Sequence, residues 1–363
     1  MPGTDLDATA RIAGSAVARV AAHTLILQGF ALSMQEQRGV GFSSGQLAPY
    51  AAAINDAVRA AGEVSFACLN TAVPTAARTI TGFTEYFQTQ SYLAGALQQD
   101  SDVAAAIALL TAVQEQVASF NEQAVGLADG LRNLRARFVQ SLADMDKAAA
   151  GLAVAADGND GALRSIGAEL RDIDDRIHRA LTEVVESGLA DPEGGIRIGV
   201  GALAEPAVAG ASMAVVVGGV AIAAIGGSGD DVSRPLAEAM DAKSDLIAER
   251  ARSNAETALA GGLVSGLKGL DWAASVAAAI AQTPVNAWTR IRDDLGALTA
   301  ELKQGSTTPQ KVGNALALAA PGGAGAVPSE IHRVLDQVIT VDPVMDLRTT
   351  PGALVRKLAA ARG

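Results

Sequence analysis

Between Val103 and Lys147 apolar side chains return every three or four positions: Ile107, Leu110, Val113, Val117, Phe120, Leu127, Leu131, Leu134, Phe138, Leu142 and Met145. So long a run at helical period predicts one continuous helix. At about 1.5 Å per residue it spans roughly 65–70 Å, too long for the interior of a compact sphere. Its apolar seam needs partners of similar length, which predicts an elongated bundle. Composition agrees. Of 363 residues 49 % are hydrophobic and only 18 % charged, with a mean hydropathy of +0.25. Disorder is excluded by that apolar content. Roughly a fifth of the chain is alanine, the best helix former and a residue depleted in strands, which argues against an all-β fold. Length alone suggests about two domains.

Other segments repeat the pattern. Residues 8–38 place Ile12, Ala16, Val20, Leu27, Ala31 and Met34 on one helical face and Arg11, Ser15 and Arg19 on another, before GVGFSSG at 39–45 breaks the run. Helices are predicted at 46–69, with a junction near Asn70, and at 74–98, with Ile80, Phe83, Phe87 and Leu93 inward. Asp100, Ser101 and Asp102 offer caps for the long helix. A DGNDG turn at 157–161 precedes a helix at 162–188 whose Glu169, Asp172, Asp174, Asp175, Glu183 and Glu186 are expected to face water. Ser233–Pro235 reads as the start of a helix at 236–259. The glycines at 261–269 read as a kink or a close helix contact. A further helix at 285–303 carries Trp288, Ile291, Leu295, Leu298 and Leu302. Residues 304–328 read as linker, followed by helices near 329–339 and 351–362.

The pattern changes in the middle of the chain. Residues 188–205 are glycine-rich, and residues 206–229 (PAVAGASMAVVVGGVAIAAIGGSG) contain no charge. As one helix, 24 residues rise about 36 Å, enough for a hydrocarbon core of about 30 Å. The same residues also read as two short strands around a Gly218–Gly219 turn. A segment that fits both forms is a candidate switch. It stands here as the single candidate span, flanked by helices with water-facing sides.

Several classes of chemistry find little support. With 28 basic against 39 acidic residues the net charge is −11, and no basic stripe offers itself to nucleic acid. Cys68 is the one cysteine, which removes an intrachain disulfide framework, and it is expected to be an inert core thiol. His23, His178 and His332 have no metal-ligand spacing. No dinucleotide, phosphate-loop, zincin, nucleophile-elbow (GxSxG) or CxxC motif is expected. The pairs Asp174–Asp175, Asp230–Asp231 and Asp293–Asp294 read as solvated or capping carboxylates. No enzyme and no cofactor or metal is therefore expected. Residues 1–7 are acidic and unlike a secretory leader, so any export is expected to proceed without one.

Three stretches carry a resemblance. Residues 70–97, with Pro74 ahead of a helix holding Phe83–Thr84–Glu85–Tyr86, residues 103–147, and residues 284–304, with Trp288 followed by Ile291 and spaced leucines, resemble three helices of one superfamily. It is that of the α-helical pore-forming toxins haemolysin BL, non-haemolytic enterotoxin and cytolysin A. The resemblance runs over roughly residues 10–305 and leaves 306–363 unplaced. It implies an all-α fold: an elongated bundle of long helices with a small head that carries a hydrophobic β-hairpin or helical hairpin. The expected parts are a tail bundle at 1–187, a head at 188–235, returning helices at 236–305 and a C-terminal extension at 306–363. The implied function is a pore-forming cytolysin, or one part of a multi-part toxin, secreted as a soluble monomer. Its partners would be the target-cell lipid membrane, further copies of itself and homologous components. A non-lytic docking component is the alternative. Membrane insertion would fall to Val208, Met213, Val215, Val216, Val217, Gly218, Gly219, Val220, Ile222 and Ile225. Arg11, Ser15 and Arg19 would line the pore once the N-terminal helix swings out at Gly39–Gly45.

Overall fold

A computed structural model describes residues 6–41, 45–99, 102–203, 218–226, 229–319, 326–339 and 342–361. Eleven α-helices and three short strands account for most of them: α1 (Leu6–Gln35), α2 (Ala48–Ala67), α3 (Val73–Gln98), α4 (Val103–Asp157), α5 (Gly161–Ala190), β1 (Gly195–Ala202), β2 (Gly218–Ile225), α6 (Gly229–Ser253), α7 (Ala255–Ile280), α8 (Gln282–Lys303), α9 (Pro309–Leu318), α10 (Ala326–Ile339), β3 (Val344–Asp346) and α11 (Pro351–Ala360). The fold is helical, with one small sheet. The predicted long helix extends ten residues further than expected, to Asp157, and at about 1.5 Å per residue it measures about 80 Å. Asp102 caps it through a bond from the Ala105 N–H.

Two compact units divide the chain. The first takes residues 1–21, 74–131 and 277–339. Its centre is aromatic. Trp288, fully buried, stacks on Phe83 with centroids 4.0 Å apart and planes 12° apart, while Tyr86 meets it edge-on at 5.8 Å and Phe120 tilts against it at 5.1 Å. The FTEY run and the tryptophan, read separately in the sequence, thus meet in one cluster, and Trp288 is a core anchor. Gly82 lets α3 approach Phe120, which a Cβ there would meet at 3.0 Å. The linker expected at 304–328 contains α9 instead. Thr308 caps it through the Lys311 N–H, and Gln90 of α3 donates to the Leu316 carbonyl at 3.0 Å.

The second unit takes residues 22–73, 132–276 and 340–363. Between α2 and α3 the backbone widens into one π turn, Cys68–Ala72, where the junction was expected near Asn70. Pro74 has no N–H to give the preceding turn, which accounts for the irregular register there. Asn70 returns its amide to the Phe66 carbonyl. The glycine-rich run 261–269 does not break α7. It is a close-contact surface: a Cβ at Gly261 would lie 2.9 Å from Ile166, and Gly269 packs on the ring of Phe30. The break falls at Asn254, and Pro235 lies inside α6 rather than at its start.

β1 and β2 pair antiparallel over their full lengths, from Gly195↔Ile225 to Ala202↔Gly218, and β3 adds in parallel to the other edge of β1. This corrects the strand assignment within 215–222. Gly218 and Gly219 do not form a turn; both lie in β2, whose partner is the glycine-rich segment before it.

Candidate functional site

The two long strands are almost wholly buried, and each face has its own chemistry. Directly opposite residues in an antiparallel pair share a face. Ile196, Ile198 and Val200 therefore stand with Ala224, Ile222 and Val220 on an apolar face. Helix α1 lies on it at Gly29, where a Cβ would come within 2.7 Å of Val220, and α5 lies on it at Gly188 against Ile196 and Ala224. The opposite face presents Gly199, Gly201, Gly219, Ala221 and Ala223, with Arg197 and Ile225 toward the far end of the pair, and α11 packs against both strands.

Polar groups pin the strand ends. Ser33 Oγ donates to the Gly218 carbonyl at 2.9 Å, and the Gly218 N–H donates to Gln37 Oε1 at 3.0 Å. At the far end the Ala224 N–H donates to Ser233 Oγ at 3.1 Å. Gly226 follows with a positive φ of 124° that other residues rarely adopt.

Beneath the start of β2 lies a buried ionic cluster. Lys243 Nζ of α6 is 2.7 Å from Asp174 Oδ1 of α5, and Ser265 of α7 donates to Asp174 Oδ2 at 2.6 Å. Asp174 is therefore not one of the water-facing carboxylates it was expected to be. It is 9 % exposed, a charge kept buried by a partner and a hydrogen bond. Asp294, 5 % exposed and bonded to Thr9, departs from the same expectation. His178, one turn beyond Asp174, lies flat on Trp272 at 3.8 Å with Phe30 edge-on to it. Burial lowers its pKa to about 4 and keeps the ring neutral, with Asp174 pulling the other way. A cavity of about 20 Å³, roughly the space of one water, touches Lys243, Asp174, His178 and Gly218–Val220.

Of the residues proposed to insert, Gly218, Gly219, Val220 and Ile222 are buried in β2 and Ile225 closes it half-buried. Val208, Met213, Val215, Val216 and Val217 lie outside the described residues. Arg11, Ser15 and Arg19 share one exposed stripe of α1, Arg11 paired with Asp7. They border a groove of about 420 Å³ with Ile12 and Asn286. Ile12 was expected on the inward face but is 46 % exposed there. The charge-free segment is also not alone in being apolar: by length and composition α1, α4 and the α7–α8 run are long and apolar enough to cross a membrane.

Among the described residues no cluster of three or more histidine, cysteine or acidic side chains is placed to hold a metal. Gly41–Gly45 (GFSSG) spells the GxSxG of a nucleophile elbow, contrary to the expectation that the chain has none. That motif needs a strand before it, and here it follows α1, with residues 42–44 outside the described set. Strand β1 was also missed, although Ile196, Ile198 and Val200 alternate at period two with glycine and arginine.

No protein-family model and no curated protein matches the sequence. Solved structures do. The soluble form of AhlB, from the tripartite α-pore-forming toxin AHL of Aeromonas hydrophila, matches with a TM-score of 0.88 at 25 % identity, over 96 % of this chain and 99 % of that one. Soluble SmhB, from the tripartite toxin Smh of Serratia marcescens, gives 0.88 at 22 % identity, over 98 % and 99 %. The pore form of AhlB gives 0.64 at 20 % identity, over 93 % and 100 %. The conformation is thus nearer the soluble form than the pore. Coverage this high also takes in most of residues 306–363, left unplaced by the sequence resemblance. This chain is built on the fold of the α-helical pore-forming toxins, the superfamily its sequence resembles.

Proposed function

We propose that this chain is a pore-forming toxin component, secreted in soluble form, that stores an apolar strand pair and releases it into a target membrane as it oligomerises. The observation that carries the reading is the burial of β1 and β2 on both faces inside a water-soluble fold, within a chain whose structural relatives exist in soluble, pre-pore and pore forms. Several hundred Å² of apolar surface exposed to water would cost on the order of 10 kcal/mol at about 25 cal/mol per Å². A bilayer reverses that sign, provided the inserted backbone satisfies its own hydrogen bonds.

Within the released pair and its connection, lipid is met by residues 206–229, with Val208, Met213, Val215–Val220, Ile222 and Ile225, while β1 follows as the strand joined to them. Helix α1 then swings out at Gly39–Gly45 and turns Arg11, Ser15 and Arg19 toward the water-filled lumen. The relatives AhlB and SmhB each belong to tripartite toxins, and this chain is read as the corresponding component, working with homologous partners. Membrane damage on this reading needs no covalent chemistry and no cofactor.

The test is dye release from lipid vesicles by the purified chain, alone and with the products of neighbouring genes, comparing wild type with Val216→Asp. Loss of release in the variant, with an unchanged circular dichroism spectrum, supports the assignment. Release by Val216→Asp at the wild-type rate sinks it.

A further inference from the structure

The glycine and alanine content of the strand pair is unusual for a segment meant to meet lipid, and the structure supplies another reason for it. On the face formed by Gly199, Gly201, Gly219, Ala221 and Ala223 lies the end of the chain. Pro351 packs directly on Gly219. A Cβ at Gly199 would stand 2.9 Å from Leu354, and one at Gly201 would stand 2.7 Å from the Thr349 carbonyl. The side chains that fill this smooth face, Pro351, Leu354 and Leu358, are buried. The seat is shaped by what sits on it.

The same segment is fastened at several points. β3 pairs with β1 over Gly199–Gly201, and the Ala202 N–H donates to the Thr349 carbonyl at 3.0 Å. Thr350 caps α11. Gly352 sits directly on Asp241 and the Ala237 carbonyl of α6. Arg356 reaches Asp241 at 2.7 Å and Lys357 reaches Asp346 at 3.1 Å. Both ion pairs are largely exposed, so each adds little on its own, and apolar burial does most of the holding.

We propose that Val344–Ala360 is an autoinhibitory strap: it covers the glycine face of the strand pair in the soluble form and must leave before the pair can enter a membrane. Small residues on that face are the condition for the strap to close, and the exposed ion pairs are where a membrane surface or a partner component would begin to lift it. The inference rests on the pore-forming reading and assigns a role to β3 and α11.

Two variants test it, both on the full chain. In a Cys68→Ala background, Asp241→Cys with Arg356→Cys, bridged by a short reducible bis-methanethiosulfonate cross-linker in place of their ion pair, ties the strap to α6. The cross-link is expected to lower dye release from phosphatidylcholine–phosphatidylethanolamine vesicles by about tenfold or more, and reduction to restore it. Equal release with and without the cross-link overturns the proposal. Leu354→Asp with Leu358→Asp loosens the strap without a cross-link. Hydrogen exchange of the 195–202 and 218–225 amides should then speed up while those of α3 and α8 stay unchanged. Protected strand amides in that variant overturn the proposal on a readout independent of any membrane. If the exchange result holds and no form of the chain releases dye, the strap stands as the cover of the pair and the pore-forming reading falls.

Discussion

Lys243 and Asp174 face each other at 2.7 Å, from α6 and α5, in a setting where neither reaches much water. Ser265 of α7 completes the second carboxylate oxygen, so three helices are registered by one ionic contact. Lys243→Met leaves the carboxylate buried without its cation and should destabilise the soluble fold by about 3–5 kcal/mol. Replacing both partners, Lys243→Met with Asp174→Leu, should cost much less. Urea denaturation of the three proteins checks the order. A single variant no worse than the double variant would contradict it.

His178 gives the soluble form a pH dependence. Its folded pKa is lowered to about 4 from 6.5, mainly by burial between Phe30 and Trp272, with Lys243 adding to the drop and Asp174 and Asp175 opposing it. Between those two values the unfolded chain binds the proton and the folded chain does not, so stability rises with pH. The contribution is complete above pH 6.5 and is lost as pH falls toward 4, up to about 3 kcal/mol. Melting temperatures from pH 7 to 4 should fall more steeply for wild type than for His178→Phe. Parallel curves would remove the histidine from the account.

Trp288 anchors the other unit. Trp288→Ala empties a site enclosed by Phe83, Tyr86 and Phe120 and should cost about 3–5 kcal/mol. Native-state exchange in the amides of α3 and α8 would register the loss.

Cys68 is buried in the π turn, and desolvation pushes its thiol up to about 12. A maleimide at pH 7 should leave it unmodified in the native protein and label it in full in 6 M guanidinium, because the thiolate is the reactive form. Rapid native labelling would mean that the turn opens.

The position of Val220 changes how insertion is best probed. It sits against Gly29 at 3 % exposure, so Val220→Asp should weaken the soluble fold itself by about 2–4 kcal/mol. A loss of activity in that variant would not isolate a membrane step. The thermal melt of Val220→Asp checks this; an unshifted melting temperature would restore it as a membrane probe.

Helices were legible in the sequence because their period repeats over many residues. α3, α5 and α8 begin and end within three residues of the boundaries read from apolar spacing and caps. The sheet was not legible to the same degree. β2 draws its partner from across the intervening residues, so a local Gly-Gly signal pointed to the wrong turn, and the three residues of β3 have no pattern of their own and form only against β1. Asp174 and Asp294 were misread for a related reason. A carboxylate on a polar-looking stripe is indistinguishable from a solvated one until Lys243 or Thr9, far away in sequence, is brought to it. In the candidate site, the apolar residues of 218–225 and the Arg11–Ser15–Arg19 stripe were found by composition and spacing, while the part played by the glycines needed Pro351 and Leu354 in view.

The element that closes over Gly199 and Gly219 follows both strands by more than a hundred residues. During synthesis the two strands emerge well before α11 exists, and at 5–20 residues per second that interval is on the order of ten seconds. Throughout it the nascent chain carries an open apolar surface inside the cell that makes it. A chaperone or export of the unfinished chain has to keep that surface away from the producer's membrane until α11 is made, because α1 and α5 cover only the opposite face.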